Sequence, residues 1–174
     1  KNKDLNSNKK KNNKKNMKSD FLDRPVFIKK LLSMTSNHRI VATTGFTSRE
    51  LLQIRNDTKN YKSKDFYMVG GMGHASMVAL GYSLNSRKKT ICLDGDGSFL
   101  MHLGSSVIGA KFSNKNFKYI LLNNGSHESV GGQKTAIDII KTENYSKAIG
   151  YRNYYLLKNQ SQASNIIKFF LKSK

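Results

Sequence analysis

From Asp23 onward the chain alternates short apolar runs with stretches of helical period. Phe27, Ile28, Leu31 and Leu32 recur on one side of a first helix, and Pro25 suits its first turn. Ile40-Val41-Ala42 is too short for a helix and ends in Thr43-Thr44-Gly45, ahead of a helix-like Ser48-Arg49-Glu50-Leu51-Leu52. The run Phe66 to Val69 ends in Gly70-Gly71-Met72-Gly73 and precedes a helical stripe of Met77, Leu80, Gly81 and Leu84. Thr90 to Leu93 ends in Asp94-Gly95-Asp96-Gly97-Ser98, and a helix is expected over Phe99 to Ala110. Tyr119 to Leu122 is the fourth run and ends in Asn123-Asn124-Gly125-Ser126. Arg152 to Leu157 reads as a fifth strand, and Ala163, Ile166, Ile167, Phe170 and Leu171 make an amphipathic helix after which no strand follows.

The four runs are continuously apolar instead of alternating, as in strands covered by helices on both faces of a parallel sheet. The fold class is therefore α/β. At 174 residues, 37% hydrophobic, the chain has room for one such core. Residues 1–20 read as a basic low-complexity tail or linker, with eight Lys and six Asn between Lys1 and Lys18, and residues 21–174 as the domain.

Charge changes this picture little. The net charge of +20 raises a nucleic-acid-binding domain as a reading from another class. Eight of the 31 cations lie in the tail, however, and 25 of the 31 are Lys, whereas specific phosphate and base readout favours the Arg fork. No apolar run approaches the roughly 18 residues of a membrane-spanning helix. Cys92 is the one cysteine, so a cytoplasmic, reducing setting is expected. The chain begins with Lys1 instead of Met, so the sequence is expected to be part of a longer polypeptide.

Every apolar run ends in a glycine-containing polar turn, where an open parallel sheet binds its ligands and helix N-termini present N–H groups to anions. Several familiar sites are excluded. Gly71-Met72-Gly73 is followed by Ser76 where a dinucleotide fingerprint needs its third Gly, and no phosphate-binding G-x-x-x-x-G-K-[ST] occurs. Asp94-Gly95-Asp96 starts like a calcium loop but has Phe99 where Gly is required. One Cys and the scattered His38, His74, His102 and His127 make no zinc site. What remains is a carboxylate, Asp96, and two carboxamides, Asn123 and Asn124, on two strand ends joined by a helix. Such a set suits Mg²⁺ whose other ligands are phosphate oxygens.

Gly95-Asp96-Gly97, then 25 residues, then Asn123-Asn124 resembles the thiamine-diphosphate motif. Within that superfamily, Thr43 to Leu51, Met72 to Ser76, Leu93 to Gly104 and Asn123 to Gln133 resemble phosphonopyruvate decarboxylase, with sulfopyruvate decarboxylase the near relative. Lys134 departs from the expected Pro. The resemblance implies a three-layer thiamine-diphosphate-binding fold lacking its last strand. It implies that Asp96, the Asn124 side chain and the Ser126 carbonyl hold Mg²⁺, and that the turns with Thr44, Gly45, Gly95, Gly97 and Ser98 face the diphosphate. Gly70, Gly71 and Met72 match the loop that grips the aminopyrimidine, with Met72 as the wedge that bends the cofactor. His127 and Glu128 are candidates for substrate contact or proton transfer. The implied reaction turns 3-phosphonopyruvate into phosphonoacetaldehyde and CO₂, in a homo- or hetero-oligomer whose pyrimidine-binding domain supplies the activating glutamate. A different 2-keto acid such as sulfopyruvate, or a non-catalytic remnant, are the alternatives.

Overall fold

Asp23 starts the first helix: its Oδ1 accepts the Val26 amide at 3.0 Å, and Pro25 sits in the first turn, where no intrahelical N–H is needed. The computed structural model describes residues 22–58 and 65–173, so the basic segment 1–20 lies outside them. Helix α1 (Arg24–Ser33) buries Phe27, Ile28, Leu31 and Leu32, the face that their spacing predicts. It is followed by β1 (Arg39–Ala42), α2 (Phe46–Asp57), β2 (Phe66–Tyr67), α3 (Ala75–Asn85) and β3 (Thr90–Gly95). Then come α4 (Asp96–Met101), α5 (Leu103–Phe112), β4 (Phe117–Leu122), α6 (Thr142–Ala148) and α7 (Ala163–Lys172).

All four strands are parallel, in the order β2-β1-β3-β4; Val41 lies opposite both Phe66 and Cys92, and Leu93 opposite Ile120. Alternation along the strands explains the unbroken apolar runs. Ile40, Ala42, Ile91 and Leu93 join a core with α1, α2 and α7 through Leu31, Leu51 and Ile167. Val41 and Cys92 enter a second core with Ala75, Ala79 and Leu80 of α3 and Phe117. Each face of the sheet thus has its own helical layer, and the strands present apolar side chains to both. Among the described residues, no helix is long and apolar enough to cross a membrane.

Four elements depart from the sequence pattern. The run Phe66 to Val69 yields only the two-residue β2, with Val69 95% exposed, because β2 is an edge strand that pairs with β1 alone. Helix α3 buries Ala75, Ser76, Ala79, Leu80 and Ser83 and leaves Gly81 and Leu84 exposed; small side chains let it lie close on the sheet. The helix expected from Phe99 starts at Asp96, whose charge suits a helix N-terminus, and breaks at His102 (φ −132°, ψ 51°) into α4 and α5. Residues 152–157 form no strand. Side chains anchor that stretch in place of a ladder: Tyr154 Oη pairs with Thr142 Oγ1 at 2.9 Å, and Leu157 packs on the first core.

One hydroxyl ties the carboxyl ends of the strands together. Ser98, 2% exposed in the first turn of α4, accepts from Thr43 Oγ1 after β1 and from the Gly73 amide after β2, both at 2.9 Å. It also hydrogen-bonds Asp94, which accepts from Tyr119 Oη of β4 at 3.0 Å and from the Gly95 amide at 3.0 Å. Burial pushes the Asp94 carboxyl upward from its usual range, and these hydrogen bonds oppose the shift.

The short β2 is held by charge as well as by its ladder. Arg55 of α2 and Asp65 are 3% and 1% exposed and meet at 2.7 Å, and Asp65 Oδ1 accepts the Ile40 amide at 3.1 Å.

Two stability outcomes are expected. Ser98→Ala leaves the Thr43 hydroxyl and the Gly73 amide without their buried acceptor and costs about 1–3 kcal/mol in urea unfolding; an unchanged midpoint would show that the hydroxyl is dispensable. Asp65→Ala strands the Arg55 charge and costs about 3–5 kcal/mol. The double change Arg55→Met with Asp65→Leu should cost less than Asp65→Ala alone, since it removes both charges together.

Candidate cofactor site

In the order β2-β1-β3-β4 the chain runs outward from β1 to β2, returns across β1 to β3, and then continues to β4. The connections leaving β1 and β3 therefore diverge, and the crevice between their carboxyl ends is where a sheet of this kind admits a ligand. A cleft of about 970 Å³ opens there and continues along the outer edge of β4 toward Phe170. Its mouth is walled by Thr44 after β1, Met72 after β2, Asp96 and Gly97 after β3, and Asn124 and His127 after β4.

The turn after β1 delivers a helix N-terminus to this cleft. Gly45, at φ 92°, is the N-cap of α2 and supplies no side-chain cap, so the first N–H groups of a 12-residue helix are left for solvent or an anion. A Cβ at Gly45 would fall 2.7 Å from Ser129 Oγ, which closes the space to any larger residue. The turn after β3 is as crowded: a Cβ at Gly97 would lie 2.5 Å from His127 Cε1 and 3.2 Å from Met72 Cε. Met72, Gly97 and His127, expected at the aminopyrimidine, the diphosphate and the substrate respectively, thus meet at one point.

Asp96 is 3% exposed, and Thr135 Oγ1 donates to its Oδ2 at 2.5 Å. Thr135 arrives because the chain after β4 folds back on itself: Ser126 bridges Lys134 in antiparallel fashion, and the Thr135 amide donates to the Gly125 carbonyl at 3.0 Å. Within this loop the Asn124 Oδ1 accepts the Ser126 amide, and Nδ2 donates to Glu128 Oε2, both at 3.1 Å. Glu128 in turn receives Arg24 Nη1 at 2.8 Å.

Asp96, Asn124 and Ser126 all line the cleft, on two neighbouring strand ends. Among the described residues, no group of three or more His, Cys, Asp or Glu gathers around a point. A cation here would rest on one carboxylate with amide and carbonyl oxygens, and would need further oxygens from its ligand. That donor set fits Mg²⁺ carried by a diphosphate.

Of the residues singled out by sequence, Thr44, Met72, Gly95, Asp96, Gly97, Ser98, Asn124, Ser126, His127 and Glu128 come together around the cleft. Gly45 stands behind them against Ser129, while Gly70 and Gly71 are exposed and do not line it. His74 and His102 pack ring to ring, with centroids 4.2 Å apart, and His38 lies elsewhere, its ring nitrogens buried and its titration pushed down by burial. Arg49 of α2 lies over the Phe46 ring. Sequence reasoning missed Arg24, Thr135 and Ser129, which reach the site from an upstream helix and a folded-back loop. No local spacing marks any of them.

Residues 43–166 match the family model described as "Thiamine pyrophosphate enzyme, C-terminal TPP binding domain". The chain is 42% identical over 113 residues to phosphonopyruvate decarboxylase of Streptomyces hygroscopicus, covering 65% of this chain and 27% of that protein. It is 35% identical over 131 residues to sulfopyruvate decarboxylase subunit beta of Methanothermobacter thermautotrophicus, covering 75% and 68%. With the corresponding subunit of Methanococcus maripaludis it shares 33% over 150 residues, covering 86% and 78%. The chain thus spans under a third of the phosphonopyruvate decarboxylase and more than two thirds of these beta subunits. Among solved structures, one assigned as a thiamin diphosphate-dependent enzyme from Mycobacterium smegmatis superposes with a TM-score of 0.65 at 16% identity, covering 89% of this chain and 30% of that one, a likeness of fold. The chain belongs to the thiamine pyrophosphate enzyme family, as its C-terminal cofactor-binding domain.

Proposed function

We propose that this domain is the diphosphate- and Mg²⁺-binding part of a 2-keto acid decarboxylase that acts on 3-phosphonopyruvate. The observation that carries the reading is the meeting of Asp96, Asn124 and Ser126 at a cleft into which the uncapped N-terminus of α2 also opens. Asp96, the Asn124 Oδ1 and the Ser126 carbonyl would hold the cation. The α2 N–H groups and the turn from Gly95 to Ser98 would hold the diphosphate. When bound, the cofactor supplies the electron sink for loss of CO₂.

The chain's own residues bind and orient. Met72 puts an apolar side chain against the Gly97 turn, and the exposed Gly70 and Gly71 offer backbone groups to the aminopyrimidine at the rim. His127, beside both Met72 and Gly97, stands where a proton could be exchanged with the substrate, and Glu128 is engaged by Arg24 and Asn124 in ordering the loop. A pyrimidine-binding domain or subunit would cover the rim and bring the carboxyl group that activates the cofactor. The enzyme is read as a cytoplasmic homo- or hetero-oligomer.

A second reading, sulfopyruvate, is favoured by the larger share of the beta subunits that the chain covers. Turnover of the two acids by the assembled enzyme separates them, a preference for sulfopyruvate overturning the first.

Asp96→Ala and Asn124→Ala are expected to abolish Mg²⁺-dependent binding of thiamine diphosphate, followed calorimetrically, while circular dichroism stays that of the parent. Unchanged affinity in both would refute the metal assignment. The 174-residue chain by itself is expected to release no CO₂ from phosphonopyruvate, and to gain turnover when a pyrimidine-binding partner is supplied. Turnover by the isolated chain on the order of 1 per second or faster would show that no partner is required.

A further inference from the structure

We propose that Arg24 is a positioning residue of the cation loop, holding the Asn124 carboxamide through Glu128 so that its Oδ1 faces the metal side of the turn; this rests on the cofactor reading above. Arg24 is the first residue of α1 and lies 104 positions from Glu128 in the chain. Its Nε and Nη2 grip both oxygens of Glu50 of α2 at 2.7 Å each, and Nη1 reaches Glu128 Oε2 at 2.8 Å. One planar guanidinium therefore fixes two carboxylates on separate elements, a task that needs the Arg fork.

The placement has a cost. A cation at a helix N-terminus is opposed by the helix dipole, and the one acidic residue at this end of α1 is the N-cap Asp23. Glu50 and Glu128 add compensation from outside the helix. Arg24 and Glu50 keep side-chain exposures of 21% and 24%, whereas Glu128 is 50% exposed. On such an exposed residue the ion pair adds little to stability. What it determines is the location of Oε2.

That location sets the orientation of Asn124. A carboxylate only accepts, so the amide must turn Nδ2 toward Glu128 Oε2. Oδ1 is thereby directed to the other side, where it accepts the Ser126 amide and keeps a second lone pair for a cation. Without Glu128 only the Ser126 amide distinguishes the two ends of the carboxamide, and the turned-over form would present an N–H donor to the metal. Groups outside the ligand set that orient a ligand in this way commonly change metal affinity by 10–100-fold.

The test uses the full chain and two charge-removing changes, Arg24→Gln and the isosteric Glu128→Gln, with their combination. Thiamine diphosphate is titrated calorimetrically at a series of Mg²⁺ concentrations. Each single variant should raise the apparent Mg²⁺ constant by about tenfold, and the double variant by no more than either alone, because both act through one strut. In ¹⁵N–¹H spectra taken without Mg²⁺ or cofactor, the Asn124 side-chain amide, identified by its loss in Asn124→Asp, should move in both variants. An unchanged Mg²⁺ constant while Asp96→Ala abolishes binding overturns the proposal, as do single effects that multiply in the double variant. If Asp96→Ala leaves Mg²⁺-dependent binding intact, the cofactor reading fails. In that case a shifted Asn124 resonance still upholds the strut and an unmoved one overturns it. Should Arg24→Gln not fold, Glu128→Gln carries the same tests from an exposed loop.

Discussion

The cleft exists because one buried hydroxyl satisfies three neighbours at once. Ser98 gathers Thr43, Gly73 and Asp94, and so draws the ends of β1, β2 and β3 to one point. A buried carboxylate such as Asp94 is costly unless its lone pairs are met, and Ser98, Tyr119 and the Gly95 amide meet them. Satisfying Asp94 therefore dictates where the turns on either side must lie. The Gly45 and Gly97 turns can then approach so closely that Ser129 and His127 fill the space a side chain would take.

The strongly basic composition describes the cleft poorly. Of the 11 acidic residues, five are Asp65, Asp94, Asp96, Glu50 and Glu128. Each of them pairs with a buried or site-lining group.

Much of the fold was legible because two helical layers favour apolar residues on both faces of a strand. Ile40 to Ala42 and Ile91 to Leu93 supply them, and both became central strands. Legibility fell at the edges. Phe66 to Val69 has the same composition, yet with one neighbouring strand it forms two residues of ladder. Residues 152–157 have strand-like residues but are anchored by Tyr154 and Leu157 outside any ladder, and α3 hides its contact face in Ala and Ser, which a search for large apolar residues overlooks. At the site, Asp96 and Asn124 were readable because their spacing belongs to one strand-helix-strand unit. Arg24 and Thr135 were not, since they arrive through tertiary folding, and nothing in the intervening sequence records the distance.

The two-residue length of β2 divides the cleft into halves of unequal persistence. The Asp96 side grows from β3, which pairs with β4 along its whole length and with β1 over Thr90 to Leu93, so it is held between two strands. The Met72 side grows from a strand with two register pairs to β1, secured by the Arg55–Asp65 contact and the single amide of Gly73 on Ser98. Hydrogen exchange through sub-global opening would release this half first. The Asp96 wall of the cleft is therefore the lasting one, and the Met72 wall is the part that breathes.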